Sequence, residues 1–230
     1  MFEVAGLSAW YGEAQALRDV SLRVDKGELI TLVGRNGAGK TTTLRCITGL
    51  HGHMSGRVTL DGRDMTGWSP ERRARAGLGF VPDDRGIYAT LTVEENLLLP
   101  PQVGPTVWPL ERIYATFPVL KERRRHSGSK LSGGEQQILS IARVLRMGAR
   151  VLLLDEPTEG LAPVLVQQVR QMLADAKADG STMLLVEQNL RFATAVADRH
   201  YLIAEGRVVE TLSNAEMRSR EHELLQHLGV

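Results

Sequence analysis

Residues 29–42 read LITLVGRNGAGKTT, a stretch that leaves few choices of fold. Five mostly apolar residues, with only Thr31 among them polar, form a strand buried on both faces, of the kind found in parallel sheets. The turn that follows matches G-x-x-x-x-G-K-[ST] from Gly34 to Thr41. Glycines there let backbone N–H groups curl around an anion that side chains would keep out. A helix starting near Gly39 points the positive end of its dipole into the same space. Gly34, Arg35, Asn36, Gly37, Ala38, Gly39, Lys40, Thr41 and Thr42 are therefore the expected cradle of a nucleotide polyphosphate. In such a cradle Lys40 reaches the β- and γ-phosphates, and the Thr41 hydroxyl holds Mg²⁺.

Three more short apolar runs share this character: LGFV (78–81), VLLL (151–154) and TMLLV (182–186). Each precedes a turn signal or polar cluster and then a helical pattern, which predicts an α/β core with a mainly parallel sheet. VSLRV (20–24) and GRVTLDG (56–62) alternate instead and carry turn glycines, as an antiparallel β flank does. HYLIAEGRVVE (200–210) reads as a hairpin turning at Glu205-Gly206. Helices are expected after Ser69-Pro70, Thr92-x-x-Glu95 and Ser213-x-x-Glu216. Between about 90 and 148 only helical patterns occur, broken by PPQVGP (100–105). The sequence thus predicts one domain over 1–230, a core of 1–89 and 149–230 with an α-helical lobe inserted at about 90–148.

Lys and Arg number 28 against 27 Asp and Glu, a net charge of +1, so no overall field recruits nucleic acid or an anionic membrane. The single Cys46 excludes an internal disulfide. No apolar run approaches the ~18–20 residues that cross a bilayer. The first residues, MFEVAGLSAWYGEAQ, have neither a basic flank nor a signal-peptide core. A cytoplasmic chain is expected, with any membrane role borrowed from a partner.

VLLLDE (151–156) ends a buried strand with two carboxylates, at the edge where α/β sheets bind ligands. Successive strand residues face opposite ways. Asp155 is therefore expected in the Mg²⁺ shell, and Glu156 toward the γ-phosphate, where it orients or deprotonates the attacking water. A second glycine-bearing stretch is KLSGGEQQILSIAR (130–143). Ser132-x-x-Glu135 is a capping box for a helix running through Ile138, Ile141, Ala142 and Leu145. Glycine weakens a first turn, so Gly133-Gly134 also suits the close approach of another molecule. These residues alone leave both readings open, since a phosphate can take the donors when Ser132 releases them.

GRNGAGKT, LSGGEQ and VLLLDEPT, in that order over essentially the whole chain, resemble the ATP-binding subunit of ABC transporters. The resemblance implies a P-loop NTPase core, ATP with Mg²⁺, and ATP hydrolysis in which Lys40, Glu156 and Gln188 take part. It also implies that Ser132, Gly133, Gly134 and Glu135 cover the γ-phosphate held by a facing subunit, giving two sites at one two-fold interface. Tyr11, in WYG, stands where the family stacks an aromatic ring on adenine. Asp83, in FVPDD, stands where the family usually has a glutamine that senses Mg²⁺, and a carboxylate there ligates the ion directly or through water. Gln188, in LLVEQN, replaces the usual switch histidine, keeping a donor for the γ-phosphate without a proton acceptor near neutral pH. Ala162, in TEGLAP, replaces an aspartate.

Together these departures resemble the second ATPase of branched-chain amino-acid importers, with a closely similar urea-importer branch. That branch implies a second, unlike ATP-binding subunit, transmembrane permease subunits and, indirectly, a solute-binding protein. The chain is then peripheral on the inner face of the cell membrane, and residues 84–99 with the helical lobe meet the permease. The basic run KERRRH (121–126) reads as a solvated helix end or as an approach to lipid headgroups. A soluble ABC-type ATPase acting on nucleic acid or ribosomes is the rival reading, against which the single cassette and the +1 charge speak. A P-loop kinase is a third, and leaves LSGGE without a role.

Overall fold

The computed structural model describes residues 1–228, with side chains described to Leu224. Strands β1 (Phe2–Tyr11), β2 (Ala14–Val24), β4 (Met54–Leu60) and the short β5 (Arg63–Asp64) form an antiparallel sheet in the order β2-β1-β4-β5. The second sheet holds β3 (Leu29–Val33), β6 (Leu78–Val81), β7 (Val151–Asp155), β8 (Thr182–Glu187), β9 (Arg199–Ala204) and β10 (Arg207–Ser213). Its order is β10-β9-β3-β8-β7-β6, and all neighbours are parallel except the β9–β10 hairpin.

Every residue of β3, β7 and β8 is buried. The pleat explains why these strands read as nearly unbroken apolar runs, because both faces are covered. Leu152, Leu154, Met183 and Leu185 enter one core with α6 (Gly133–Met147) and α7 (Pro163–Ala178). Val151, Leu153, Leu184 and Val186 enter another, with α1 (Lys40–Thr48) and the antiparallel sheet.

Among the described residues no strand lies between β6 and β7. That stretch holds α3 (Val93–Leu98), α4 (Leu110–Thr116), α5 (Pro118–Glu122) and α6. Its Trp108, Ile113, Phe117 and Leu120 share a hydrophobic cluster with Leu152, Met172 and Leu185, so the helical segment and the sheet have one interior. Trp108 Nε1 donates to Asp179 Oδ2 at 2.8 Å, and Arg112 pairs with the same carboxylate oxygen at 2.7 Å. This polar knot fastens the segment to the end of α7.

The predicted helix starts are present. Ser69 caps α2 (Pro70–Arg75) with proline in its first turn, and complete capping boxes open α3, α6 and α9 (Asn214–Ser219). Helix α1 differs, because no side chain caps its N-terminus. Its C-terminus is covered instead by the buried Arg73, which donates to the carbonyls of Cys46 at 2.8 Å and Ile47 at 2.6 Å.

The β9–β10 hairpin turns at Glu205 (φ 49°) and Gly206 (φ 74°), the positive-φ pair of a tight two-residue turn. That turn is a brace for the loop before α1. Gly206 N–H donates to Ala38 O at 3.0 Å, and Gly206 O accepts from Arg18 N–H at 2.8 Å. A Cβ on Gly206 would meet Ala16 O at 2.2 Å.

Gly206→Ala is therefore expected to lower stability by about 2 kcal/mol or more and to weaken ATP binding. Gly12→Ala is the control, since Gly12 also has positive φ (59°) but nothing within 4 Å of an added Cβ. Denaturant midpoints and nucleotide titrations of both variants check this, and equal losses would remove the bracing role.

Candidate functional site

The chain folds residues 34–39 against itself on one side. A Cβ on Gly34 would meet Ile203 O at 2.4 Å, and one on Gly39 would meet Leu17 Cδ2 at 2.6 Å. Gly37 (φ 80°) has open space around it. An anion alone does not account for all three glycines: Gly34 is demanded by contact with the β9 backbone, and Gly39 by its positive φ (107°) beside β2. On the other side lies a cleft of about 620 Å³, lined by Asn36, Gly37, Lys40, Thr41, Thr42 and Glu156 together with Gln15, Arg18 and the Glu205–Arg207 turn. Its volume lies in the range of small-molecule and cofactor sites. The uncapped N–H groups at the head of α1 are at its floor, free to receive an anion.

Lys40 is only 4% exposed. Its Nζ donates to Gly34 O at 2.9 Å and Arg35 O at 3.0 Å, and pairs with Glu156 Oε1 at 3.2 Å. A flexible ammonium is thereby held at one point of the cleft, opposite the acid expected to act on water.

The two acids are separated, but not by the alternation the sequence suggested. Strand β7 ends at Asp155. Glu156 lies outside it, at φ 45°, where a non-glycine residue is uncommon. Its N–H donates to Val186 O at 3.0 Å, which helps hold that conformation. Backbone strain, then, aims Glu156 at Lys40.

Asp155 is fully buried. Its Oδ1 accepts from Thr41 Oγ1 at 3.2 Å, while Oδ2 is buried without a hydrogen-bond partner. Burial pushes its carboxyl up to about 6, the Asp83 and Glu156 charges add to this, and Thr41 and Lys40 oppose it. An orphaned, charge-starved carboxylate oxygen next to a hydroxyl suits a hard divalent cation such as Mg²⁺. Among the described residues no group of three or more His, Cys, Asp or Glu gathers to hold a metal, so other ligands would be phosphate and water oxygens. When bound, the ion would neutralise phosphate charge beside Thr41 and Asp155.

Asp83 is exposed in the loop after β6, where its Oδ1 accepts from Asp84 N–H at 2.9 Å and its charge reaches Asp155. Gln188 is half-buried and lines a crevice with Glu156, Thr158 and Gly160. Tyr11 is 48% exposed, its ring 4.6 Å from that of His51 between centroids, and it does not line the phosphate cleft. It stands at the turn leading to Gln15 and Ala16, which do.

Ser132, Gly133, Gly134 and Glu135 also stand away from that cleft. Ser132 Oγ accepts from Glu135 N–H at 3.4 Å, and Glu135 Oε2 accepts from Ser132 N–H at 2.7 Å, so the capping reading holds in this chain. Gly134 packs closely against the Leu165 side chain, which would have to shift to admit a Cβ there. Arginines flank the turn: a Cβ on Gly133 would lie 3.1 Å from the Arg85 guanidinium, and Arg123 pairs with Glu135 at 3.6 Å. The basic run 121–126 thus gives one of its charges to this turn.

The sequence reading missed the Glu205–Arg207 brace and Glu187. Nothing local marks the first, because only the β9-β3 pairing brings it to the loop. The second is marked by an ionisable residue ending an apolar run.

The raised pKa of Asp155 sets a stability test. With Asp155 favouring its protonated form when folded, the chain without metal or nucleotide loses stability as pH rises from about 4 through about 6, and the loss persists above. Asp155→Asn removes that loss and is expected to gain on the order of 1–3 kcal/mol at pH 8 over wild type in a chelator, while ATP turnover is lost. Denaturation of both proteins at pH 5 and pH 8 reads the difference. A variant no more stable than wild type at pH 8 contradicts the assignment.

Residues 17–159 match the ABC transporter family. The high-affinity branched-chain amino acid transport ATP-binding protein BraG of Pseudomonas aeruginosa is 40% identical over 206 residues, 88% of this chain and 88% of that protein. The probable branched-chain amino acid transport ATP-binding protein LivF of Archaeoglobus fulgidus is 36% identical, over 99% of this chain and 95% of that protein. The lipopolysaccharide export system ATP-binding protein LptB of Haemophilus influenzae is 31% identical, over 97% and 95%. A solved ATP-binding subunit of an ABC transporter superposes with a TM-score of 0.86 at 27% identity, over 100% of both chains. A dimeric bacterial ABC transporter cassette does so with a TM-score of 0.78 at 25% identity, over 93% of this chain and 99% of that one. With a P-loop NTPase fold built around this cleft, the chain belongs to the ABC transporter family and is an ATPase subunit of a transporter.

Proposed function

We propose that this ATPase drives import of branched-chain amino acids. The observation that carries the reading is the 40% identity to BraG over most of both chains, in a sequence whose VPDD, VEQN and GLAP segments resemble that branch. The relation to LptB shows that the same engine also serves an export system, so the cargo is the part under test.

In the proposed cycle the N–H groups heading α1 and Lys40 bind the ATP phosphates, and Thr41 and Asp155 hold Mg²⁺. Tyr11 supports the base from beside the cleft. Asp83, within electrostatic reach of Asp155, ligates the ion directly or through water. Glu156 orients or deprotonates the attacking water once its contact with Lys40 is exchanged for the phosphate, and Gln188 donates to the γ-phosphate.

Ser132–Glu135 stand apart from their own chain's cleft, beside two arginines, which supports a role on the ATP of a facing subunit. The likeness to a dimeric cassette supports the same arrangement. The facing subunit is a second, unlike ATPase. No helix among the described residues is long and apolar enough to cross a membrane, so permease subunits would supply the pathway. An exposed groove lined by Leu50, Phe80, Tyr88, Leu99 and Met147, where the helical segment meets the sheet, supports a permease contact on the inner membrane face.

Ser132→Arg is expected to leave ATP binding intact and to lower turnover by on the order of 10²–10³ in the assembled pair. Unchanged turnover counts against a shared site. For the cargo, the complex reconstituted with its permease and binding protein should hydrolyse ATP faster when leucine, isoleucine or valine is added. Stimulation by urea instead would move the chain to the neighbouring branch.

A further inference from the structure

Glu187 ends β8 and is 2% exposed, an acid where its neighbours Leu184, Leu185 and Val186 are apolar. Its carboxylate joins two turns. Oε1 accepts from the Thr158 hydroxyl at 2.7 Å, and Oε2 accepts from the Asn189 N–H at 3.3 Å. Thr158, itself 7% exposed, lies in the turn that begins at the strained Glu156. Asn189 follows Gln188 and caps α8 (Leu190–Val196) by accepting from Phe192 N–H at 3.1 Å.

Burial pushes the Glu187 carboxyl up to about 7, and the nearby Glu156 charge adds to the rise. A carboxylate in this setting is costly to bury, so folding gains little from it compared with an apolar side chain. What the carboxylate does supply is two acceptors in fixed directions. A strained residue such as Glu156 persists only when its surroundings over-determine it. Its own N–H is already tied to Val186 O at 3.0 Å, and the Thr158–Glu187 bond ties the same turn to β8 a second time.

We propose that Glu187 is a positioning residue for ATP hydrolysis, holding the turn of Glu156 and the turn of Gln188 in fixed register through Thr158 and Asn189. The two turns line one crevice, with Glu187 between them. The inference rests on the ATPase activity and is independent of which solute is carried. It also gives a reason for Thr158, a residue no step of the chemistry uses.

The test is steady-state ATP turnover with Mg²⁺ by this chain assembled with its partner ATPase, for Thr158→Val, Thr158→Ser and Glu187→Gln. Thr158→Val keeps the shape and removes the hydroxyl, and is expected to lower kcat by about 10- to 100-fold with the KM for ATP within about twofold, because the phosphate loop is untouched. Thr158→Ser restores the hydroxyl and should recover kcat to within about threefold of wild type. Glu187→Gln keeps an oxygen for Thr158 but turns an NH₂ toward the Asn189 N–H, and should cost about threefold to tenfold in kcat alone. It tests the same tie should Thr158→Val not fold, which melting curves will show. Wild-type kcat in both Thr158→Val and Glu187→Gln overturns the proposal. So does a serine variant no better than the valine one, or a KM that rises as kcat falls.

Discussion

The chemistry available to this chain depends on a backbone pressed flat. Residues 34–39 lie so close to β2 and β9 that a methyl group on Gly34 or Gly39 would strike the protein itself. The Glu205–Gly206 turn then holds Ala38 from outside the loop. With its back fixed, the loop borders the cleft and leaves the head of α1 without a side-chain cap before any ligand arrives. Preorganised donors need no rearrangement at the moment of reaction, and an error of an ångström can cost about a hundredfold. The first turn of α6 is closed by Ser132 and Glu135, whereas the head of α1 is left open.

Around that loop the charges are kept dry and incompletely balanced. Lys40 is almost fully buried with Glu156 as its ion-pair partner, Asp155 has one oxygen without a partner, and Glu187 has only neutral donors on its oxygens. None of these arrangements favours folding as an apolar core would. The first two become favourable if phosphate and a divalent cation enter, because the ion meets Asp155 and the phosphate releases Lys40 from Glu156. A site that gives up stability in its empty form is what a nucleotide-driven switch needs.

Much of this was legible in the chain. The four short apolar runs became neighbouring strands, the capping boxes opened the helices they predicted, and Glu205-Gly206 turned the hairpin. Such features depend on residues close in sequence, where pattern and physics coincide. What sequence could not show depends on distant partners. Gly34 and Gly39 looked ligand-driven because Ile203 and Leu17 are far away along the chain. Glu156 looked like one more pleat residue, although the strand stops before it. Glu187 passed unnoticed because its meaning comes from Thr158, 29 positions earlier. The placement of Tyr11 beside the cleft, and not in it, likewise follows from the register of β1 with β2.

The proposal that joins these parts is reciprocity, in which each subunit's 132–135 turn completes the pocket of the other. The most direct measurement is a structure of the Glu156→Gln protein with its partner ATPase, loaded with Mg²⁺ and ATP. Reciprocity predicts Ser132 Oγ and the Gly134 N–H at hydrogen-bonding distance, about 3 Å, from the γ-phosphate held by the partner. A nucleotide-filled pair with the 132–135 turn facing solvent, or folded over its own chain's nucleotide, would contradict it.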